Sequence, residues 1–239
     1  MMWIFILVGA GVVALAHMAP VPFVLEAMAG GRAVWQMPRG DPPTVYLTYD
    51  DGPNPTTTPD VLDVLSREGV QATFFLIDRH VTEETAPIIR RMFDEGHAVA
   101  LHSAAKSLML MSPSAIARTL SRAADRIEAL TSARPCRAFR PRGGWRSGTM
   151  YAGLKQIDYK LVGFGWMLWD VEIFGRRRAD RIVDRFLARV SGGDIIVMHD
   201  GDDAAPRTDQ RHAVKATAQL IPQLRARGFG FGTVCQNGR

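Results

Sequence analysis

The sequence predicts an α/β protein built as a single closed or nearly closed βα barrel. Apolar runs typical of buried strands alternate with helical patterns through residues 44–234, which makes about seven strand–helix units. No second block of composition marks a second domain. Residues able to carry chemistry follow the strands at the ends where a barrel places its active site. A chain of 239 residues, 47% hydrophobic and 22% charged, is long enough for one such domain.

The chain opens with an apolar segment, residues 1–28, which we expect to be a membrane anchor or a signal segment. Residues 1–16 are almost wholly apolar, and the first basic residue is Arg32. Because no Lys or Arg precedes the apolar run, a retained single-pass anchor is favoured over a signal cleaved after residues 14–16. A buried apolar helix is a third alternative. Either leading alternative places the domain outside the cytoplasm: anchored in the cell membrane or, after cleavage, secreted or periplasmic.

Residues 29–43 read as a Gly/Pro-rich linker, and the domain is expected to occupy residues 44–239. Its first strand, residues 45–49, is β-branched and aromatic and ends at Asp50 and Asp51. A helix from about Pro59 follows and stops at Gly69. Further strands are predicted at residues 72–77, 97–101, 138–140, 161–171, 194–198 and 229–234. Further helices are predicted at residues 84–94, 114–130, 151–156, 179–190 and 212–227.

Polar residues stand at the ends of five of these strands. They are Asp50 and Asp51, His102 and Ser103, Arg140, Trp169 and Asp170, and His199 and Asp200. An Asx turn that merely ends a strand would explain one such site. Five convergent strand ends favour an active site at the mouth of the barrel.

The two histidines of the third strand are predicted to have different roles. Side chains alternate along a strand, so His97 and His102 point to opposite faces unless a bulge intervenes. We therefore expect His97 to be structural and His102 to be the candidate metal ligand.

The net charge bears on the class of partner, and the cysteine content bears on whether a disulfide forms. The net charge of +5 would suit an anionic partner, but no nucleic-acid-binding signature accompanies it, so no nucleic acid is expected. Cys136 and Cys235 are the two cysteines. They could form a disulfide across a long loop in an oxidising compartment, or remain a buried free pair.

With these residues assembled, the sequence resembles the polysaccharide deacetylases, the NodB-homology domain of carbohydrate esterase family 4. Five motifs occur in the family's order: TYDDGP at residues 48–53, ATFF at 72–75, GHAVALHS at 96–103, FRP at 139–141 and GDIIVMHD at 193–200. The resemblance covers residues 44–234. It implies a distorted (β/α)7 TIM-like barrel, here preceded by the N-terminal apolar helix.

The resemblance also implies roles for site residues. Asp50 would be the general base, and Arg140 would pair with it. Asp51 and His102 would bind a divalent metal, commonly zinc.

The acid half of the site is implied in the same way. His199 would be the general acid that protonates the leaving nitrogen. Asp170 would orient that histidine, with Glu172 as a rival for the position.

The sequence departs from the family pattern in two places. The family has a second metal histidine four residues after the first, where this chain has Lys106. A protonated lysine has no lone pair and cannot be a ligand. Residues 142–145, RGGW, also differ from the family's Pro/Tyr/Gly pattern in the loop that forms the substrate groove.

Three interpretations of Lys106 follow. A divergent enzyme could hold its metal through Asp51, His102 and another ligand or water, or Lys106 could replace the metal's charge. In the third, the domain only binds glycan.

The working hypothesis is a hydrolase that removes N-acetyl groups from amino sugars of a chitin-like or peptidoglycan-like glycan. The alternatives are a deacylase or deformylase of a lipid-linked sugar and a glycan-binding pseudoenzyme. The expected partners are the N-acetylated glycan and, through the N-terminus, the membrane. The sequence leaves the oligomeric state open.

Overall fold

The fold is a curled sheet of parallel strands with helices on its outer face. The computed structural model describes residues 6–9, 33–103, 106–165, 170 and 178–235. The strands are β1 (Ala33–Val34), β2 (Thr44–Gly52), β3 (Thr73–Ile77), β4 (Ala98–His102), β5 (Ala138–Arg140), β6 (Lys160–Val162), β7 (Ile195–His199) and β8 (Gly230–Phe231). The helices are α1 (Thr58–Glu68), α2 (Ala86–Asp94), α3 (Pro113–Thr131), α4 (Gly148–Gln156), α5 (Ala179–Leu187) and α6 (Arg211–Ala226).

The strand order is β1-β6-β5-β4-β3-β2-β7, and β8 also pairs with β2. Every pairing is parallel. The segment after β6 approaches β7: Gly165 N donates to Ile195 O at 3.0 Å and Asp170 N donates to Val197 O at 3.1 Å. These hydrogen bonds bring the two sides of the curled sheet together, as the alternation of strands and helices predicted.

Local sequence signals set the helix ends. Pro59 stands in the first turn of α1, and Gly69 ends that helix with φ of 61°. The Ser112 hydroxyl caps α3 by accepting a hydrogen bond from Ala115 N at 3.3 Å. Their buried faces pack on the outside of the sheet, which holds the strand ends in register.

Two apolar clusters divide the side chains of each strand. Val45, Leu47 and Tyr49 of β2 lie in the large cluster between sheet and helices. A small cluster packs on the inner face and contains Tyr46, Phe75, Ala100, Ala138, Val162 and Ile195. Because strand side chains alternate, a residue two or four positions beyond an inner-face residue also faces inward.

Cys136 and Cys235 form a disulfide with Cα atoms 6.2 Å apart. Of the alternatives that the sequence left open, the bonded pair is the one present. The bond joins Cys136, two positions before β5, to Cys235, which follows β8 and lies 99 residues later in the chain.

The region predicted as a linker, residues 29–43, contains a strand that the sequence analysis missed. β1 pairs with β6, and Trp35 packs edge-on against Phe164 with ring centroids 6.1 Å apart. A two-residue strand is too short to show periodicity among glycines and prolines. The predicted strand at 161–171 ends at Val162 as β6, since residues 163–165 are not in a strand, and residues 166–169 and 171 of that prediction lie outside the described residues. The predicted strand at 229–234 was too long, since β8 contains two residues.

The predicted N-terminal anchor lies mostly outside the described residues, which include only residues 6–9 of that segment. In the described part of the chain, no helix has the length and apolar character needed to cross a membrane.

We predict that loss of the disulfide lowers the stability of the folded domain. Serine at both Cys136 and Cys235 removes a cross-link that restricts the unfolded chain, which costs about 2–4 kcal/mol and lowers Tm by roughly 5–15 °C. Differential scanning fluorimetry with and without reductant measures the change. Reductant should lower Tm only in the wild type; an equal Tm for the reduced wild type and the oxidised wild type would contradict the prediction.

Candidate active site

The alternation of side chains brings four predicted site residues to one end of the barrel. Asp50, His102, Arg140 and His199 each follow an inner-face residue of their strand by two or four positions. Asp50 is the register partner of His199, and His102 is the register partner of Arg140. The carboxyl ends of β2, β4, β5 and β7 therefore form one polar mouth, as predicted from the five strand ends.

Asp51 reaches the same mouth through an irregular backbone. Simple alternation would point Asp50 and Asp51 to opposite faces. Asp51 instead has φ of 69°, and the pairing with β3 shifts register between Asp50 and Gly52. Gly52 is required beside it because a Cβ there would lie 2.7 Å from Asp200 Oδ2. The bulge lets two consecutive carboxylates serve one site.

Asp50 and Arg140 form a buried ion pair. Arg140 Nη1 donates to Asp50 Oδ1 at 2.6 Å, and the two side chains are 5% or less exposed. The same nitrogen donates to Thr48 Oγ1 at 2.8 Å, and Nη2 donates to Gly163 O at 2.8 Å. Burial lowers the pKa of Arg140, with the charge and hydrogen bond of Asp50 opposing that effect. The arginine holds one carboxylate oxygen and fixes the rotamer of Asp50.

Asp51 and His102 form the second pair of the mouth. His102 Nδ1 lies 2.8 Å from Arg140 O, so Nδ1 carries the hydrogen and Nε2 faces Asp51 Oδ1 at 3.2 Å. Burial opposes ionisation of Asp51, yet the hydrogen bond and charge of His102 lower its pKa to about 2. Burial also opposes the charge on His102, but Asp50 and Asp51 raise its pKa.

His199 and Asp170 form the third pair. His199 Nδ1 lies 2.6 Å from Asp170 Oδ1, and His199 N donates to Asp170 Oδ2 at 2.9 Å. Burial disfavours the imidazolium, but Asp170, followed by Asp51 and Asp50, outweighs it and raises the pKa of His199 to about 9. Asp170 therefore lies against His199, as the resemblance implied, and its rival Glu172 lies outside the described residues. Trp169 also lies outside them.

His97 lies away from the mouth, as strand parity predicted. Its Nδ1 accepts a hydrogen bond from Ala72 N at 3.2 Å, and its ring packs edge-on against Phe74 with centroids 5.5 Å apart. The imidazole is 2% exposed. His97 thus braces the start of β4 against β3.

Three further polar residues surround these pairs: Thr48 and His212, which were not predicted, and Asp200, which was predicted only as a polar strand end. Thr48 accepts from Arg140 and donates to Ile196 O at 2.9 Å; the strand parity that places Asp50 also places Thr48. Asp200, fully buried against Thr58, has its pKa raised to about 7 by burial. His212 Nε2 lies 3.5 Å from Asp170 Oδ2. No sequence signal connects His212 with the site, because it starts a helix far along the chain.

The rim of the mouth carries an ion pair between two loops. Arg142, after β5, pairs with Asp203, after β7. The positive charge of Arg142 also contributes to the lowered pKa of Asp51, after burial and His102 have acted. Arg142 is part of the RGGW departure, so the altered loop adds a positive charge on the side of Asp51.

Asp51 and His102 fit a divalent cation as two of its ligands. The neighbouring ligands of a tetrahedral zinc are about 3.4 Å apart, close to the 3.2 Å between Asp51 Oδ1 and His102 Nε2. The Arg140 carbonyl fixes the tautomer that such a ligand needs. No cluster of three or more His, Cys, Asp or Glu side chains suited to a metal occurs in the described ranges. Within the described ranges, Asp51 and His102 are therefore the pair that we consider as protein ligands.

Comparison with known proteins gives a consistent set of relatives. The family model for polysaccharide deacetylases matches residues 38–162. A chitooligosaccharide deacetylase of Bradyrhizobium sp. is 36% identical over 196 residues, which are 78% of this chain and 86% of the relative. A peptidoglycan-N-acetylglucosamine deacetylase of Bacillus cereus is 28% identical over 207 residues, 86% of this chain and 92% of the relative.

Solved structures share the fold. A peptidoglycan N-acetylglucosamine deacetylase superposes with a TM-score of 0.74 at 25% identity, over 88% of this chain and 94% of that one. A family 4 acetyl xylan esterase from Clostridium thermocellum, in complex with a cobalt ion, superposes with a TM-score of 0.70 at 31% identity. The match covers 80% of this chain and 88% of that one. The barrel predicted from the sequence and its resemblance to this family are confirmed.

We predict that Arg140→Met destabilises the protein by about 3–5 kcal/mol, because it leaves Asp50 as an unpaired buried charge. Adding Asp50→Asn should restore part of the loss, since the charge is then removed as well. Urea unfolding followed by circular dichroism measures each free energy of unfolding.

Arg134→Met is the matched control for this change. Arg134 is half exposed and pairs with Asp125 and Glu128 on the surface, so its loss should cost about 0–1 kcal/mol. Equal free energies of unfolding for the Arg140 and Arg134 variants would show that the buried pair contributes nothing beyond a surface pair.

Proposed function

The chain belongs to the polysaccharide deacetylase family, and we propose that it hydrolyses the N-acetyl groups of amino sugars in a glycan. The observation that supports this most strongly is the pairing of two complete dyads at one mouth, Asp50 with Arg140 and Asp170 with His199. Relatives named for chitooligosaccharide and peptidoglycan deacetylation support a chitin-like or peptidoglycan-like substrate. The enzyme is thus a hydrolase of a carbon–nitrogen bond outside peptides.

Asp50 is the proposed general base. Arg140 Nη1 donates to its Oδ1 at 2.6 Å, which holds the carboxylate in place at the mouth. Amide hydrolysis requires removal of a proton from the attacking water, which a carboxylate within hydrogen-bond reach performs. A glycan-binding pseudoenzyme would have no need for a base buried and oriented in this way.

His199 is the proposed general acid. It stands opposite Asp50 in the β2–β7 register, so base and acid flank the same space. The Asp170 carboxylate raises the pKa of His199 to about 9, although burial opposes this. The imidazole is therefore protonated at neutral pH and can donate Nε2–H to the leaving amine. As pH rises through about 9, the acid form and its contribution to the rate are lost.

Asp51 and His102 would hold the divalent metal, which we propose to be zinc. A bound cation polarises the amide carbonyl and lowers the pKa of a water molecule at the site. The carboxylates that raise the pKa of His102 would equally stabilise a cation in place of that proton. With Lys106 at the family's third ligand position, we expect weaker affinity than a three-ligand site provides.

Membrane attachment through residues 1–28, with the domain on the extracytoplasmic side, remains our proposal for localisation. The disulfide between Cys136 and Cys235 supports it, because disulfides persist outside the reducing cytosol. A mature N-terminus at His17 would identify a cleaved signal and a secreted or periplasmic domain instead.

We predict that Asp50→Asn lowers deacetylation of N-acetylated chitooligosaccharides by about 10²–10⁴-fold, because the amide cannot accept a proton. Acetate release, followed enzymatically and confirmed by the mass of the product, measures the rate. Asp94→Asn is the matched control, since Asp94 is exposed at the end of α2, before β4 begins, whereas the mouth lies at the carboxyl end of β4. Equal acetate release by the Asp50 variant and the control would contradict the role of Asp50 as the general base.

The same assay separates the alternative functions. Turnover of lipid-linked acylated sugars with none of soluble oligosaccharides would favour the lipid-linked alternative. Glycan binding that survives loss of Asp50 and His199, with no acetate released by the wild type, would identify a pseudoenzyme.

We predict that the purified chain binds zinc and that Asp51→Ala abolishes this binding. The Asp51 carboxylate lies 3.2 Å from His102 Nε2, so both could share one cation. Isothermal titration with zinc, and metal content per chain by mass spectrometry, give affinity and stoichiometry. The Asp94→Asn variant should bind as the wild type does; zinc bound equally by the Asp51 variant would place the metal elsewhere.

A further inference from the structure

The Asp170 carboxylate accepts two hydrogen bonds from His199 and also has a second histidine close to it. Its Oδ1 faces His199 Nδ1 at 2.6 Å, and its Oδ2 accepts from His199 N at 2.9 Å. His212 Nε2 lies 3.5 Å from the same Oδ2. Asp170 itself is fully buried, so its negative charge is shared only with the groups that touch it.

His212 is placed so that this contact is its principal polar interaction. The residue lies in the first turn of α6, and its side chain is 12% exposed. Its Nε2 is buried and makes no standard hydrogen bond within the described part of the chain. A buried N–H without an acceptor is costly, and Asp170 Oδ2 is the acceptor in front of it. Hydrogen bonds of this kind are often long before substrate binds and shorten in the reacting complex.

We propose that His212 is a positioning residue for the deacetylation and acts through Asp170. Its Nε2–H donates to Oδ2 and thereby limits the negative charge that the carboxylate presents to His199. The inference rests on the proposed role of His199 as the acid. It adds His212 to the pair of Asp170 and His199, which the family resemblance already indicated, and these three residues are called the triad below.

The physical reason is that each donor to a carboxylate reduces its affinity for a further proton. Burial opposes the ionisation of Asp170, yet His199 and then His212 hold its pKa well below the usual range. A carboxylate with His199 as its sole partner would attract the imidazole proton more strongly. A general acid is most effective when its pKa lies near the working pH, so a third donor keeps His199 from becoming too weak an acid.

Other charged groups lie near both His199 and His212. His199 contacts Asp170, and the charges of Asp51 and Asp50 also act on it. On the other side, His212 lines an open cleft whose charged members are Arg178, Asp180, Asp209, Arg211 and Lys215. The cleft contains both charge signs, and Arg178 and Arg211 pair with Asp180 and Asp209. The buried contact with Asp170 is therefore the one through which a change at His212 reaches His199.

The test is the titration of the His199 imidazole by NMR in the full chain, a readout that needs no substrate. Asp170→Asn should lower the pKa of His199 toward its ordinary value. His212→Leu, which removes the donor, should raise it by about half a unit to one unit. In the Asp170→Asn background, His212→Leu should produce no further shift, because the carboxylate that links the two histidines is absent.

The alkaline limb of the kcat profile should move in the same directions, while KM stays within about twofold because the proposed effect of His212 acts through Asp170 on the acid. His212→Gln keeps an N–H donor of similar reach and should restore a pKa close to that of the wild type. His212→Ala is a second variant without the donor, for use if the leucine variant does not fold.

The direction in which the pKa of His199 shifts distinguishes an electrostatic effect of His212 on Asp170 from a purely structural role. If His212 merely helped to pack the first turn of α6 near Asp170, its loss would loosen Asp170 and leave the pKa of His199 unchanged or lower. Either result, or an upward shift that persists in the Asp170→Asn background, would overturn the proposal. If no acetate were released by the wild type, the proposed function would fail, and the NMR titration would still test the triad.

Discussion

The buried ion pair between Asp50 and Arg140 is the interaction on which the mouth of this barrel depends. Burying two charges is costly unless each is fully hydrogen-bonded. Here the guanidinium reaches Asp50 and Thr48 of β2, Val162 O of β6 and Gly163 O beyond it, and it lies 4.0 Å above the Phe75 ring of β3. One side chain from β5 thereby ties together the ends of three other strands. The Arg140 carbonyl also sets the tautomer of His102. A single residue thus organises both the Asp50 side and the His102 side of the mouth.

The second constraint is local. Two carboxylates that are adjacent in the chain can face one cavity only if the strand breaks its alternation between them. The positive φ of Asp51 provides this break, and the close packing of Gly52 against Asp200 leaves no space for a side chain at the next position. The sequence TYDDGP therefore combines one residue of regular strand, Asp50, with one residue of bulge, Asp51. The strain of the left-handed conformation at Asp51 is of the kind that proteins retain at functional sites.

The features that were predictable from the sequence are those that depend on periodicity. Alternation along β4 separates His97 from His102, and the strand ends alone indicate Asp50, Arg140 and His199 as candidate site residues. Features that depend on long-range geometry were not predictable. The disulfide joins residues 99 positions apart, and either thiols or a bond fitted the sequence. β1 is two residues long and hidden in a Gly/Pro-rich segment. His212 begins a helix with ordinary composition, and only the packing of α6 brings it to Asp170.

The balance of charge at the mouth bears on the departure at Lys106. Asp50 is neutralised by Arg140, and Asp170 is neutralised by the protonated His199. Asp51 has His102 as its near partner, and an imidazole carries a charge only by taking a proton. A divalent cation would replace that proton and use the Nε2 lone pair that the Arg140 carbonyl leaves free. The lowered pKa of Asp51 shows that its carboxylate is available as an anion across the neutral range. The electrostatics of the described residues therefore favour a cation at Asp51 and His102, even though Lys106 removes the family's third ligand.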